Sequence, residues 1–369
     1  MQEPSIADLE FTRRALSLAA AGIGLVSPNP LVGCVIVSKD GLVAGEGTYV
    51  KDELTHAEGI ALERAGIKAQ GGTAYVSLEP HDHHGKTPPC TEALINAGIA
   101  RVVVPIEDPN PRVSGRGFEK LRAAGIEVTT GILADEATRA NEKFICWHKK
   151  KRPFVHLKLA MSMDGRISLN NSVSTALSGE LAKKRVHELR HEHDAVLVGA
   201  NTAVVDNPSL TDRSGRPRRR PLARIVLDNR LRLPPDSVLA TTTETAPTLV
   251  FTNCIDPESV FRLSDRGVEV IPVERGGRNL DAVLEDLYRR EIQSVLVEGG
   301  TGVAGAFIDA RLVDKVTFLC APILIGGSDA PTSIGGMGAP TLADALKIEK
   351  IEVIRHGEEI EITGYPRLA

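Results

Sequence analysis

Between His56 and Cys90 the chain gathers side chains suited to hold a metal and move a proton. His56-Ala57-Glu58 offers an imidazole and, two residues on, a carboxylate. Cys90 follows Pro88-Pro89 and offers a thiolate at a predicted helix start, because proline is tolerated in a helix's first turn. An ion held by three protein donors, with its fourth place left to water, needs one more ligand. The loop of residues 81–84, His-Asp-His-His, must supply it. Histidine and cysteine donors without a carboxylate cluster select zinc over magnesium or calcium. Zinc brings the pKa of the water it holds toward neutrality, and Glu58 would take that proton and hand it on. The spacing H-x-E…P-C is that of hydrolytic amine removal from a nucleobase, with the glutamate as proton carrier and not as ligand.

A second chemical feature lies near the other end. Glu298-Gly299-Gly300-Thr301-Gly302-Val303-Ala304-Gly305 follows the apolar run Val295-Leu296-Val297. A glycine-rich turn between strand and helix leaves bare backbone amides that can approach a phosphate. It contains G-x-G-x-x-G, although far from the first βα unit where a dinucleotide fold carries it, and a plain tight turn explains it equally well.

The predicted elements place both features. A helix is expected over 6–22, a strand over 32–37, and a hairpin turn at 39–41 before a strand near 42–47. Helices are expected over 56–65, 90–97, 117–124 and 134–145, and strands over 73–78, 101–105 and 126–130. Both metal-binding stretches then stand at helix starts, where the dipole favours anionic ligands. Residues 147–153, Trp-His-Lys-Lys-Lys-Arg-Pro, break both periodicities. The expected division is 1–147, a linker at 148–153, and 154–369. The alternation then restarts, with strands near 154–160, 195–198, 224–228, 248–252, 268–271, 294–298, 315–321, 348–355 and 359–363. Helices are expected over 178–190, 280–289 and 304–310. Such alternation predicts an α/β class with partly parallel sheets.

Composition narrows the partners. The 369 residues carry a formal net charge of -4, with one Trp and four Tyr. That balance argues against nucleic acid as ligand, which calls for a basic surface and stacking aromatics. The basic runs 149–152 and 216–220 read as a solvated linker and loop. No apolar run approaches the roughly 20 residues of a membrane span. Five scattered cysteines without a C-x-x-C pair fit a reducing, cytoplasmic setting.

Several stretches together resemble the bifunctional riboflavin-biosynthesis deaminase-reductase family. In the first half they are Asn29-Pro30-Leu31-Val32-Gly33, His56-Ala57-Glu58, the loop from Glu79 to Cys90, Asp108-Pro109-Asn110-Pro111, Gly115-Arg116-Gly117 and Asn141-Glu142-Lys143-Phe144. In the second they are the run from Leu157 to Arg166, Val198-Gly199-Ala200-Asn201-Thr202, the run from Asp206 to Thr211, and the run from Ala321 to Gly327. The resemblance implies an N-terminal cytidine-deaminase-like α/β/α sandwich and a C-terminal dihydrofolate-reductase-like α/β domain. It implies zinc on His56, His81 and Cys90, with Glu58 as proton carrier and Asn29 facing the substrate. It implies that Ser174, Arg190, Leu210, Arg213 and Glu298 contact a phosphorylated pyrimidine substrate. NADPH would be held by Ala160, Thr202, Asp206, Asn229 and residues 300–306, which are Gly300, Thr301, Gly302, Val303, Ala304, Gly305 and Ala306. Arg190 and Arg213 suit a substrate phosphate, since guanidinium forks match its oxygens. The family further implies a homo-oligomer, dimer or tetramer, through the reductase half.

Three positions depart from the family pattern. His81 stands where the family has cysteine, Ile60 where it usually has histidine, and Ala176 where it commonly sets a tryptophan on the cofactor. The rival reading is a reductase whose first half is a degenerate deaminase kept as scaffold. A nucleic-acid base deaminase with an appended binding module is opposed by the charge balance.

Overall fold

The computed structural model describes residues 3–53, 55–84, 88–111, 113–170 and 175–367. Two compact units divide the chain, Met1–Lys151 and Arg152–Ala369.

The first unit runs α1 (Ile6–Ala20), β1 (Gly33–Val37), β2 (Val43–Thr48), α2 (Ala57–Ala65), β3 (Thr73–Val76), α3 (Cys90–Asn96), β4 (Arg101–Val104), α4 (Arg116–Ala123), β5 (Glu127–Thr130), α5 (Ala134–Ala140) and α6 (Glu142–Lys150). Its sheet has the order β2-β1-β3-β4-β5. β1 pairs antiparallel with β2 and β3, while β3, β4 and β5 are parallel. Central strands such as Val102-Val103-Val104 are buried on both faces, hence their unbroken apolar sequence. One face packs against α2, α3 and α4 through Ala57, Ala61, Leu94, Phe118 and Leu121. The other face packs against α1 through Ala15 and Leu18. The result is an α/β/α sandwich.

The sequence predicted one helix over 134–145 and a linker from 148. The structure instead breaks the helix at Asn141, whose side chain accepts from the Leu31 amide and donates to its carbonyl, both at 2.9 Å. A new helix starts there and continues through Lys150. His148, Lys149 and Lys150 thus form its last turn, where positive charge opposes the negative end of the helix dipole.

The second unit runs β6 (Phe154–Ser162), α7 (Glu180–His191), β7 (Ala195–Gly199), α8 (Ala200–Val205), β8 (Ala223–Leu227), α9 (Val238–Thr241), β9 (Thr248–Thr252), α10 (Pro257–Ser264) and β10 (Glu269–Pro272). It continues with α11 (Leu280–Arg289), β11 (Ser294–Val297), α12 (Thr301–Asp309), β12 (Lys315–Ala321), β13 (Ile348–His356) and β14 (Glu359–Pro366). Nine strands form one sheet in the order β10-β9-β8-β7-β11-β6-β12-β14-β13. It is parallel from β10 to β12 and closes with an antiparallel β14-β13 edge. One face is covered by α11 and α12 through Val283, Leu284, Leu287, Ala304 and Phe307. α8, α9 and α10 cover the other through Ala203, Leu239, Ala240 and Leu263. α10 was not anticipated, although Asp256 caps it by accepting from the Ser259 amide at 2.9 Å, with Pro257 next. α12 begins three residues earlier than expected, directly on the glycine turn, with Gly300 as its N-cap.

Candidate active sites

In the first unit the site is set by how closely α2 lies on the sheet. A Cβ on Gly47 would meet the Ala57 carbonyl oxygen at 2.1 Å, and one on Gly45 the Ala61 oxygen at 2.1 Å. Bare glycine on β2 facing an alanine stripe on α2 lets helix and strand backbones touch. The start of α2 is thereby held where its first residues can meet α3. His56 is the N-cap of α2, Glu58 lies in its first turn, and Cys90 is the first residue of α3.

Ligand atoms of His56, His81 and Cys90 lie within 4.8 Å of one another. Cys90 Sγ is 3.5 Å from His56 Nδ1, and the His56 and His81 ring centroids are 4.5 Å apart. His83 and His84 are exposed; His84 stands 3.6 Å from Glu92. Burial, with His56 and His83 adding, pushes His81 down to about 4, so its imidazole is neutral, the form that ligates. Burial and the Glu58 carboxylate push the Cys90 thiol well above its ordinary value, which a bound cation would reverse. Glu58 is buried, and its Oε2 has no hydrogen-bond partner. A buried acceptor left unmatched is costly unless something else occupies the site. Two imidazoles, one sulfur and a carboxylate with one free buried oxygen fit a zinc ion with its water.

Supporting contacts hold the ligand loop. Glu79, buried two residues before His81, accepts from the amides of Asp108 at 3.1 Å, Gly115 at 3.0 Å and Gly117 at 3.0 Å. Asp82 accepts from Thr91 at 2.6 Å and pairs with Lys120 at 2.6 Å. Asn29 donates to Tyr49 Oη at 2.8 Å, and the Tyr49 ring stands 5.0 Å from the His56 ring. Asp108 is buried, and burial raises its carboxyl to about 6. Glu79 was visible in the sequence only as part of a motif, and nothing there marked Gly45 and Gly47 as the seat of α2.

In the second unit a cavity of about 740 Å³ opens at the C-terminal ends of β7 and β8, through Gly199 and Leu227. Such ends are where parallel α/β sheets bind ligands. Thr202, Asp206 and Asn229 line it, as do Gly300, Thr301, Gly302, Val303 and Ala306 from the start of α12. A Cβ on Gly302 would meet nothing within 4 Å, whereas one on Gly305 would strike the Gly335 carbonyl oxygen at 2.3 Å. Gly305 therefore serves close packing, and Ala304 is wholly buried in the core. Ala160 packs with Ala182, Val186 and Leu319, away from the cavity lining. Ala176 is exposed beside Thr175, which lines the cavity. Ser174 lies outside the described residues.

The expected substrate residues form a separate cluster. The Arg190 fork is taken by Glu298, through Nε at 2.7 Å and Nη2 at 3.1 Å. Lys158 reaches the same carboxylate at 3.7 Å. Burial works to raise Glu298, but Arg190 and Lys158 outweigh it and hold the carboxyl at about 2. Arg190 thus spends its fork inside the protein. Arg213 is exposed and donates to Ser209 at 2.9 Å and Thr211 at 3.2 Å. The Leu210 side chain is buried in the core, on a backbone with φ 49°. Lys158 escaped the sequence reading as a site residue because it sits inside an apolar strand run.

Relatives decide the family. The family profile described as the cytidine and deoxycytidylate deaminase zinc-binding region matches residues 6–106, and the RibD C-terminal domain matches residues 153–361. The riboflavin biosynthesis protein RibD of Aquifex aeolicus is 41% identical over 355 residues, covering 96% of this chain and 97% of its own. That of Escherichia coli is 39% identical, covering 95% and 96%. The chain belongs to the RibD family. Among solved RibD structures, that of Acinetobacter baumannii superposes with a TM-score of 0.87 at 35% identity, covering 98% of this chain and 99% of that one. The Thermotoga maritima diaminohydroxyphosphoribosylaminopyrimidine deaminase/5-amino-6-(5-phosphoribosylamino)uracil reductase gives 0.86 at 36%, with the same coverage. Like other RibD chains it joins a zinc-binding deaminase domain to an NADPH-using reductase domain. No helix among the described residues is long and apolar enough to cross a membrane.

Proposed function

We propose that both halves act in riboflavin biosynthesis through the residues gathered in the two sites. The chain is a bifunctional enzyme: it hydrolytically deaminates 2,5-diamino-6-(5-phosphoribosylamino)pyrimidin-4-one, then reduces the ribosyl side chain to ribityl with NADPH. The observation that carries the first activity is the convergence of His56, His81 and Cys90 beside buried Glu58, whose Oε2 has no hydrogen-bond partner. That convergence favours a working site over a degenerate scaffold.

His56, His81 and Cys90 would hold the zinc, which when bound supplies an acidic water and an electrophilic centre. Glu58 would take one proton from the attacking water and deliver it to the ring nitrogen, then carry the remaining proton of the added hydroxyl to the amine, which leaves as ammonia as the carbonyl forms. Asn29, fixed by Tyr49, orients the pyrimidine. In the second unit NADPH supplies a hydride. The first turn of α12 binds its diphosphate through bare amides, and Thr202, Asp206 and Asn229 flank it. Glu298 and Arg213 face the substrate. The Arg190–Glu298 pair acts as one rigid unit rather than as a free phosphate clamp.

Two further parts of the proposal are a cytoplasmic place and a homo-oligomer, dimer or tetramer, formed through the second unit. The free cysteines support the first. Exposed Ile351, Val353 and Ile354 on the edge strand β13 support the second, and light scattering checks it.

The decisive experiment follows both reactions on one preparation. Ammonia release from the diamino substrate should vanish with a zinc chelator and return with zinc, while NADPH oxidation on the deaminated product persists. Ammonia release that survives complete removal of the metal would refute the first activity.

A further inference from the structure

The cavity in the second unit has two chemically different ends. One is the glycine turn at the start of α12. The other is built from the turn after β8 and the turn before α11, and it carries Arg230, Arg232 and Arg278.

These two turns are locked in shape. Asp228, itself buried, accepts from the amides of Arg230 at 3.2 Å and Leu233 at 2.8 Å. Leu231 takes a left-handed backbone, φ 50°, with its side chain buried, while Arg230 and Arg232 on either side of it are exposed. Asn229 Oδ1 accepts from the Gly277 amide at 2.7 Å. Next to it Gly276 has φ 59°, and a Cβ there would meet Asn229 Oδ1 at 2.2 Å. The contact between the turns therefore requires glycine, and it brings Arg278 to the same rim. Among the described residues none of the three guanidinium groups donates a side-chain hydrogen bond or pairs with a carboxylate. Asp206 and Asp228 also line the cavity, but the Asp228 carboxylate is engaged by the amides of its own turn, and three guanidinium groups on a rigid rim bring positive potential to that end.

NADH and NADPH share a diphosphate, and the first turn of α12 suits it in either case. They differ only in the phosphate on the adenosine 2′ oxygen. We infer that Arg230, Arg232 and Arg278 bind this 2′-phosphate and so set the choice of NADPH over NADH. Guanidinium groups accommodate such a phosphate by charge and by paired hydrogen bonds. The inference rests on the reading of this cavity as the cofactor site. The substrate also carries a phosphate, but Arg190, Leu210, Arg213 and Glu298 lie outside the lining of this cavity.

The test uses the full-length enzyme and the variants Arg232→Ala, Arg278→Ala, their combination, and Arg278→Lys. Steady-state constants are measured with NADPH and with NADH, together with the KM of the deaminated substrate. Competition by 2′,5′-ADP and by 5′-AMP reports the 2′-phosphate alone. Each alanine variant should lower the preference for NADPH over NADH on the order of tenfold, the worth of one charge-assisted contact. 2′,5′-ADP should lose its advantage over 5′-AMP in parallel, and Arg278→Lys should recover part of it. An unchanged preference in the combined variant, with thermal unfolding like the parent's, overturns the inference. So does a rise in substrate KM without a change in cofactor preference. If the unaltered enzyme oxidises neither dinucleotide, the reading of the cavity itself fails, which is a separate result.

Discussion

At the scale of single residues, two buried groups carry sharp expectations. His81 is the member of its loop that reaches His56 and Cys90, with burial keeping it neutral. His81→Ala should cost more than about 100-fold in zinc affinity, since losing even a ligand's outer partner costs 10- to 100-fold. His81→Cys should retain the metal; chelator competition measures both. The sequence left His81, His83 and His84 equivalent because three imidazoles in one loop say nothing of which ring turns inward. Only the anchoring of Glu79 and Asp82 on either side of His81 decides it. Glu298 is the second case. Its folded pKa, about 2, lies below the ordinary 4.5 of a free glutamate. Its stabilising contribution is therefore present above pH 4.5 and is lost as pH falls toward 2. Glu298→Gln should flatten that part of the acid-unfolding curve and cost about 3 kcal/mol at neutral pH, because Arg190 and Lys158 are left buried without their anion. Urea titrations across pH would show both effects. The pairing with Arg190 was not legible in the sequence, where the two stand far apart and each resembles a ligand contact.

At the scale of elements, the depth of α2 on β2 controls the metal site. Gly47→Ala adds one methyl against the Ala57 carbonyl, and the helix start must lift. The expected result is a loss of about 1–3 kcal/mol in stability, typical of overpacking, together with weakened zinc binding. Thermal melts and metal analysis after dialysis would check it. The variant fails the expectation if it binds zinc like the parent. Most elements were legible, because apolar runs such as Val102–Val104 and Ala195–Val198 and the glycine stops state their periods plainly. What escaped had a tertiary cause or a short signal. The break at Asn141 comes from its bonds to Leu31, far away in sequence. The helix α10 is only eight residues long and buries only Leu263, so its signal is short. The early start of α12 follows from Gly300 capping a helix that glycines would ordinarily weaken.

At the scale of the whole molecule, each unit has its own sheet and its own core, and each site belongs to one unit. Calorimetry should resolve two transitions. Free zinc at about 100 times its dissociation constant should stabilise the first unit by about 2.7 kcal/mol and leave the other transition in place. A single transition displaced as a whole by chelator would contradict this. The basic run near residue 150, where the sequence expects a linker, ends the helix α6, and the two units divide just after it. The order of strands in the larger sheet has one more consequence. β6 opens the second unit, yet its two neighbours are β11 and β12, which begin only at Ser294 and Lys315. A ribosome emits the first unit complete, then an apolar strand with nothing to pair with until most of the remaining chain has been made. The growing polypeptide can therefore close its metal-binding fold early, while its other half waits on its last third and depends meanwhile on protection from aggregation.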